Sequence, residues 1–111
     1  GILPDQVPGE GEGEWAAFFG KPAYTMTLAM KLVDRPGTES FLAYGERLAG
    51  GRGFVVRLRR MPGAEPGEPP ARRLNRAVES LVRENPGQYL WGYNRYKVPR
   101  IATERGKAKP E

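Results

Sequence analysis

The sequence predicts an α/β arrangement with elements in the order β-loop-β-α-β-β-loop-α-tail, and three observations carry it. Residues 40–48 and 53–61 are strand-like runs joined by Ala49-Gly50-Gly51-Arg52, a glycine-rich connection of the hairpin kind. Residues 71–84 place Leu74, Ala77, Val78, Leu81 and Val82 on one helical stripe. Short apolar runs near the start are bounded by Gly and Pro, as buried strands are. At 111 residues the chain makes one domain at most.

Each element has its own reason. Gly1–Leu3 reads as the end of a strand, and Pro4-Asp5-Gln6 as the loop leaving it. Residues 8–14 alternate Gly with Glu, which costs backbone entropy and sets like charges side by side, so they are expected to be a solvated loop. Trp15–Phe19 reads as a buried strand closed by Gly20 and Pro22. From Ala23 to about Asp34 the spacing of Tyr24, Leu28, Leu32 and Val33 predicts a helix, which Pro36-Gly37 stops. In the second strand of the hairpin Val56 and Leu58 alternate with Arg57 and Arg59, predicting one buried face and one charged face. Residues 62–70 form a Pro/Gly loop. The 71–84 helix, with Arg72, Arg73, Arg76, Glu79 and Arg83 mostly opposite its stripe, ends at Asn85-Pro86.

Composition narrows the function classes. Leu, Ile, Val and Phe make about one residue in five, beside 15 glycines and 11 prolines, which predicts a thin core, long loops and a piece of a larger fold. The formal charge is +5, with acids concentrated before residue 20 and cations after residue 92. A basic end interleaved with aromatics points to a phosphate-bearing partner. The absence of cysteine excludes disulfides and thiolate chemistry. No apolar run approaches the roughly 20 residues of a spanning helix, and the start Gly1-Ile2-Leu3 is expected to be a strand already in progress. Residues 100–111 are expected to be a basic, disordered tail.

Four constellations can carry chemistry. Asp5 and Gln6, at the carboxyl end of a strand, can position a polar substrate or form a simple Asx turn. The carboxylates of 9–14 sit on no rigid scaffold and make a poor metal cage, so no metal site is expected. Lys21 and Tyr24-Thr25-Met26-Thr27, at a helix N-terminus, suit an anion or plain capping. The fourth is the run from Gln88 to Lys97, in which Tyr89, Trp91, Tyr93 and Tyr96 accompany Arg95 and Lys97. Such a run stacks bases and grips phosphates in a small nucleic-acid-binding module, or packs Tyr89, Trp91 and Tyr93 on a sheet.

The segments Pro86-x-Gln88-Tyr89-x-Trp91 and Arg95-Tyr96-Lys97 resemble the C-terminal signature of the bacterial lipid A biosynthesis acyltransferases, the late lauroyl/myristoyl transferases. The family pattern there is Pro-Glu-Gln-Tyr-x-Trp-x-His-Arg-Arg-Phe-Lys. Pro4-Asp5-Gln6 is similar to the family's Pro-Asp-Gln loop, and Phe18-Phe19-Gly20-x-Pro22-Ala23 to its Phe-Phe-Gly-x-Pro-Ala segment. Leu48–Gly53 is similar to the tip of its Arg-Leu-Pro-Asp-Gly-Arg-Gly hairpin. The resemblance runs in order over residues 1–99. Gly87 stands where the family has Glu, Tyr93-Asn94 where it has His-Arg, and of its Pro-Arg-Arg only Arg47 carries over.

The resemblance implies the C-terminal portion of a glycerolipid-acyltransferase-like fold, a mixed β-sheet flanked by helices. It implies transfer of a fatty acyl chain from acyl carrier protein to a lipid A precursor, in lipopolysaccharide biosynthesis of Gram-negative bacteria. The place would be a membrane surface, the cytoplasmic face of the inner membrane, with no cofactor and no nucleic-acid partner. Asp5, Gln6, Arg47, Arg95 and Lys97 become the substrate-binding candidates, and Gln88, Tyr89 and Trp91 the structural signature. The family's base is the His of His-x-x-x-x-Asp/Glu, upstream of the Pro-Asp-Gln loop. A hydroxyl nucleophile needs such a base, and this chain contains no histidine. No catalytic residue is therefore assigned, and the chain alone is expected to be inactive.

Overall fold

The computed structural model describes residues 1–99. Six main elements follow in order: β1 (Gly13–Phe18), β2 (Lys21–Met26), α1 (Leu28–Val33), β3 (Phe41–Arg47), β4 (Phe54–Arg60) and α2 (Pro70–Glu84). The α/β composition is as expected, but the strands do not form one mixed sheet. Among the described residues they pair as two antiparallel hairpins, β1 with β2 and β3 with β4. Local pattern specifies each hairpin through its turn, whereas joining two hairpins depends on edges that no local pattern encodes.

The β1–β2 turn is two residues, Phe19-Gly20, with φ of +48° and +79°. Positive φ at both positions matches the right-handed twist of the flanking strands, and a phenylalanine there is strained. Gly13 opens β1 because a Cβ would lie 2.8 Å from the Thr25 carbonyl oxygen. The β3–β4 connection closes with the Leu48 N–H donating to the Gly53 carbonyl at 2.8 Å.

Gly13 and Glu14, expected in the solvated loop, instead open β1, and three further sequence expectations are corrected. Gly1–Leu3 is in no strand. Ala23–Met26 belongs to β2, and the helix shrinks to the six residues of α1. The third correction concerns the hairpin faces: Phe54, Val56 and Leu58 stand bare on the outer face, while Arg57 and Arg59 lie on the face toward α2, Arg57 half-buried and Arg59 still exposed. Arg57 pairs with Glu46 across the hairpin and Arg59 with Glu84 of α2, both at 2.7 Å.

Helix α2 runs one residue longer than predicted, with Pro70 in its first turn. It is the common floor. One cluster joins Phe18, Ala23, Val78 and Val82, with Phe19, Tyr89 and Tyr96 packed against it. A second joins Ala29, Met30 and Leu74, with Met26, Val33 and Met61 alongside. Two-stranded hairpins are marginal alone, so docking on α2 is what stabilises them. No helix among the described residues is long and apolar enough to cross a membrane. The tail expected over 100–111 lies outside the described residues.

Candidate functional site

The stripe of α2 includes two polar residues that sequence reading left on the solvent side or passed over. Asn75 and Glu79 are buried with Ala71, Leu74, Val78 and Val82. The signal was available, since 71, 75, 79 and 82 share one face at helical spacing. Each polar residue organises a different part of the site.

Asn75 meets Arg95, the cation of the C-terminal run. Arg95 is only 3% exposed. One terminal nitrogen donates to the Tyr24 carbonyl at 2.7 Å; the other donates to Thr25 Oγ1 at 2.9 Å and Asn75 Oδ1 at 3.2 Å. The guanidinium also lies over the Phe18 ring, 5.4 Å from its centroid. No carboxylate forms a salt bridge with it among the described residues. Burial pulls its pKa below the ordinary guanidinium value. Arg95 thus ties the C-terminal run to β2 and α2 from inside, a placement that a surface reading of a basic run does not anticipate. This also buries what would have been the anion site at 24–27: Tyr24 and Thr25 are strand residues of the core, not a helix N-terminus.

Glu79 supports the strained turn. Its Oε2 accepts the Phe19 N–H at 2.8 Å and Arg72 Nη1 at 2.6 Å. Burial raises its pKa, but the Arg72 and Phe19 hydrogen bonds outweigh that and hold the carboxyl below its usual value. Arg83 stacks over the Phe19 ring at 5.1 Å, and the Trp91 ring lies tilted to it with centroids 6.1 Å apart.

The run itself splits in two. Tyr89 and Tyr96 pack against Phe18, and the Tyr96 hydroxyl donates to the Phe18 carbonyl. Trp91 is 59% exposed, with its indole N–H donating to the Pro86 carbonyl at 2.7 Å. It does not pack on a sheet. The half-buried rings and buried Arg95 leave no continuous row of exposed rings for base stacking.

Gln88 clamps the end of β3. Its Oε1 accepts the Arg47 N–H at 2.7 Å and its Nε2 donates to the Arg47 carbonyl at 2.8 Å. The side chain of Arg47 remains exposed, as does that of Lys97. On the other side the Tyr93 hydroxyl accepts the Val7 N–H at 2.8 Å and anchors the loop that carries Asp5 and Gln6. Burial, and then the nearby Asp5 charge, raise the Tyr89 pKa.

These ties frame a cleft of about 500 Å³ between the Gly1–Asp5 segment, β3, α2 and residues 88–90. Leu3, Leu42, Val78, Leu81, Val82 and Leu90 make it apolar; Asp5, Tyr44, Asn85 and Gln88 are its polar points. Of the expected substrate residues, only Asp5 lines it. Gln6 is exposed beside it, Arg47 is held at its edge through Gln88, and Arg95 and Lys97 lie outside its lining. No group of three or more potential metal ligands occurs among the described residues.

A family model for the bacterial lipid A biosynthesis acyltransferases matches residues 1–98. No curated protein matches the sequence closely enough to count as a relative.

Proposed function

We propose that this chain, which belongs to the bacterial lipid A biosynthesis acyltransferase family, supplies the lipid-holding side of acyl transfer from acyl carrier protein to a lipid A precursor. The observation that supports this reading is the cleft. Two of its walls carry parts of the family signature, Pro4-Asp5 and Gln88-Tyr89, and its lining is apolar with few polar points. An acyl chain needs dry walls, and a phosphorylated sugar headgroup needs donors at the mouth. Arg47, with its backbone fixed by Gln88 and its guanidinium exposed, is the cation placed for that headgroup. Lys97 is the second. Arg95 contributes by holding the run in place, since both of its terminal nitrogens already donate inside the core.

Transfer to a hydroxyl also needs a base. With no histidine in the 111 residues, the chain binds lipid and does not transfer acyl groups by itself. A membrane surface, the cytoplasmic face of the inner membrane, is where such a substrate would be met.

Binding of a detergent-solubilised lipid A precursor tests the reading. Leu81→Glu, which sets a charge in the apolar wall, should weaken binding at least tenfold, about 1.4 kcal/mol. Asp5→Asn should alter it less. Unchanged affinity in a folded Leu81→Glu variant, or acyl transfer by the 111-residue chain alone, would sink the proposal.

A further inference from the structure

The β3–β4 hairpin has one face on α2 and one face bare, and the two treat charge differently. On the inner face Arg57 and Arg59 are each matched by a carboxylate, Glu46 and Glu84. The outer face brings together Phe41, Phe54, Val56 and Leu58, which are 52–72% exposed. Register sets Arg60 opposite Phe41 and Arg47 opposite Phe54, so a cation stands at each end of the apolar strip. Arg52 lies at the connecting turn. No carboxylate lies on this strand face, and none of these three arginines is in a salt bridge among the described residues.

Large apolar side chains held on the solvent face of a hairpin are unusual without a partner. A second copy of the same face is disfavoured by charge: stacking two such strips would set arginines near arginines, with no acid on the face to offset them. A partner that is apolar within and anionic at its boundary fits both features. We propose that the outer face of the β3–β4 hairpin lies flat on an anionic lipid bilayer, its phenylalanine, valine and leucine side chains in the acyl boundary and Arg47, Arg52 and Arg60 among the lipid phosphates. This geometry is that of an interfacial element, which combines buried apolar area with attraction to anionic headgroups. The inference rests on the lipid-substrate reading above and adds the surface by which the chain meets the membrane.

Co-sedimentation of the 111-residue chain with phosphatidylglycerol vesicles and with phosphatidylcholine vesicles tests it. The chain should pellet with the anionic vesicles and at least tenfold more weakly with the neutral ones. Phe54→Ser with Leu58→Ser should lower partition onto both by tenfold or more, with an unchanged circular dichroism spectrum because both side chains are exposed. Arg52→Ser with Arg60→Ser should cost about fivefold per arginine on anionic vesicles only. Leu90→Ser, at the cleft, should leave vesicle binding intact while weakening the lipid A precursor in detergent micelles.

A chain that stays in the supernatant with both vesicle types overturns the docking face, as do Phe54/Leu58 variants that bind like wild type. If Leu90→Ser alone abolishes vesicle binding, the face falls and the cleft reading stands. Loss of precursor binding in micelles by no cleft variant removes the substrate reading whatever the vesicles show. Dimerisation in sedimentation equilibrium that Phe54→Ser abolishes identifies a second copy as the occupant and refutes the bilayer. Competition by a single-stranded oligonucleotide at the same face refutes it too.

Discussion

The two hairpins are built alike, each from two antiparallel strands of six or seven residues, yet they are held by different forces. The β1–β2 hairpin is held by packing and buried polar bonds: Phe18, Ala23, Tyr24 and Thr25 are buried, and Arg95 reaches into it from the C-terminal run. The β3–β4 hairpin contributes one buried side chain, Leu42, and is otherwise fastened by Arg59–Glu84, Asn85–Glu46 and the Gln88 clamp. Identical secondary structure therefore conceals unequal stability. The first hairpin is a core, and the second is a surface moored to it.

The largest effect should separate the two hairpins directly. Phe18→Ala should cost about 3–5 kcal/mol in denaturant unfolding, whereas Phe54→Ala, at 72% exposure, should stay within about 0.5 kcal/mol. Equal costs would break the comparison. Next, Arg95→Met should destabilise by about 3 kcal/mol, because Asn75 Oδ1 and the Tyr24 carbonyl lose their donor inside the core. A wild-type unfolding midpoint would show that Arg95 is not the tie between the run and β2. Arg59→Gln should cost only about 0.5 kcal/mol, since its pair with Glu84 is solvent-exposed.

The smallest effect is electrostatic. Hydrogen bonds from Arg76 hold the Glu68 carboxyl, in the loop after β4, down to about 2 from an ordinary 4.5. A depressed carboxyl stabilises the folded state above the unfolded value, and that contribution fades as pH falls through the folded one. The loop should therefore loosen only as pH drops from about 4.5 toward 2. Carboxyl titration by NMR should place Glu68 near 2, and Arg76→Gln should return it to the ordinary range.

Much of this was legible in the residues. The stripe of α2, the glycine-rich turn of the second hairpin and the Pro-Asp-Gln and Gln-Tyr-x-Trp signatures are local patterns, and local patterns survive folding. The strand at Lys21–Met26 was missed because Tyr24, Leu28 and Leu32 fall at spacings of four, which mimic a helix across a strand–helix junction. Alternation in β4 correctly showed two unlike faces but not which was inside, because α2 presents Glu84 to the hairpin and rewards arginine there. Arg95 was hidden for a related reason. A cation among tyrosines reads as surface, and its burial depends on Thr25 and Asn75, which lie 70 and 20 residues away.

The Gln88 clamp has a consequence for how the second hairpin can grow. Leu48 donates across to Gly53, so the main-chain groups of Arg47 point the other way, toward the strand's open edge, where the Gln88 amide satisfies both. That amide occupies the rung an added strand would use. The edge is sealed at Arg47, while Gly45, Ala43 and Phe41 share its outward orientation and line the cleft. Any extended segment laid along β3 must therefore start its ladder at Gly45 and run toward Phe41, a register dictated by one side-chain amide. A carboxylate at position 88 could accept from Arg47 but not donate to it, and would leave that edge without its stop.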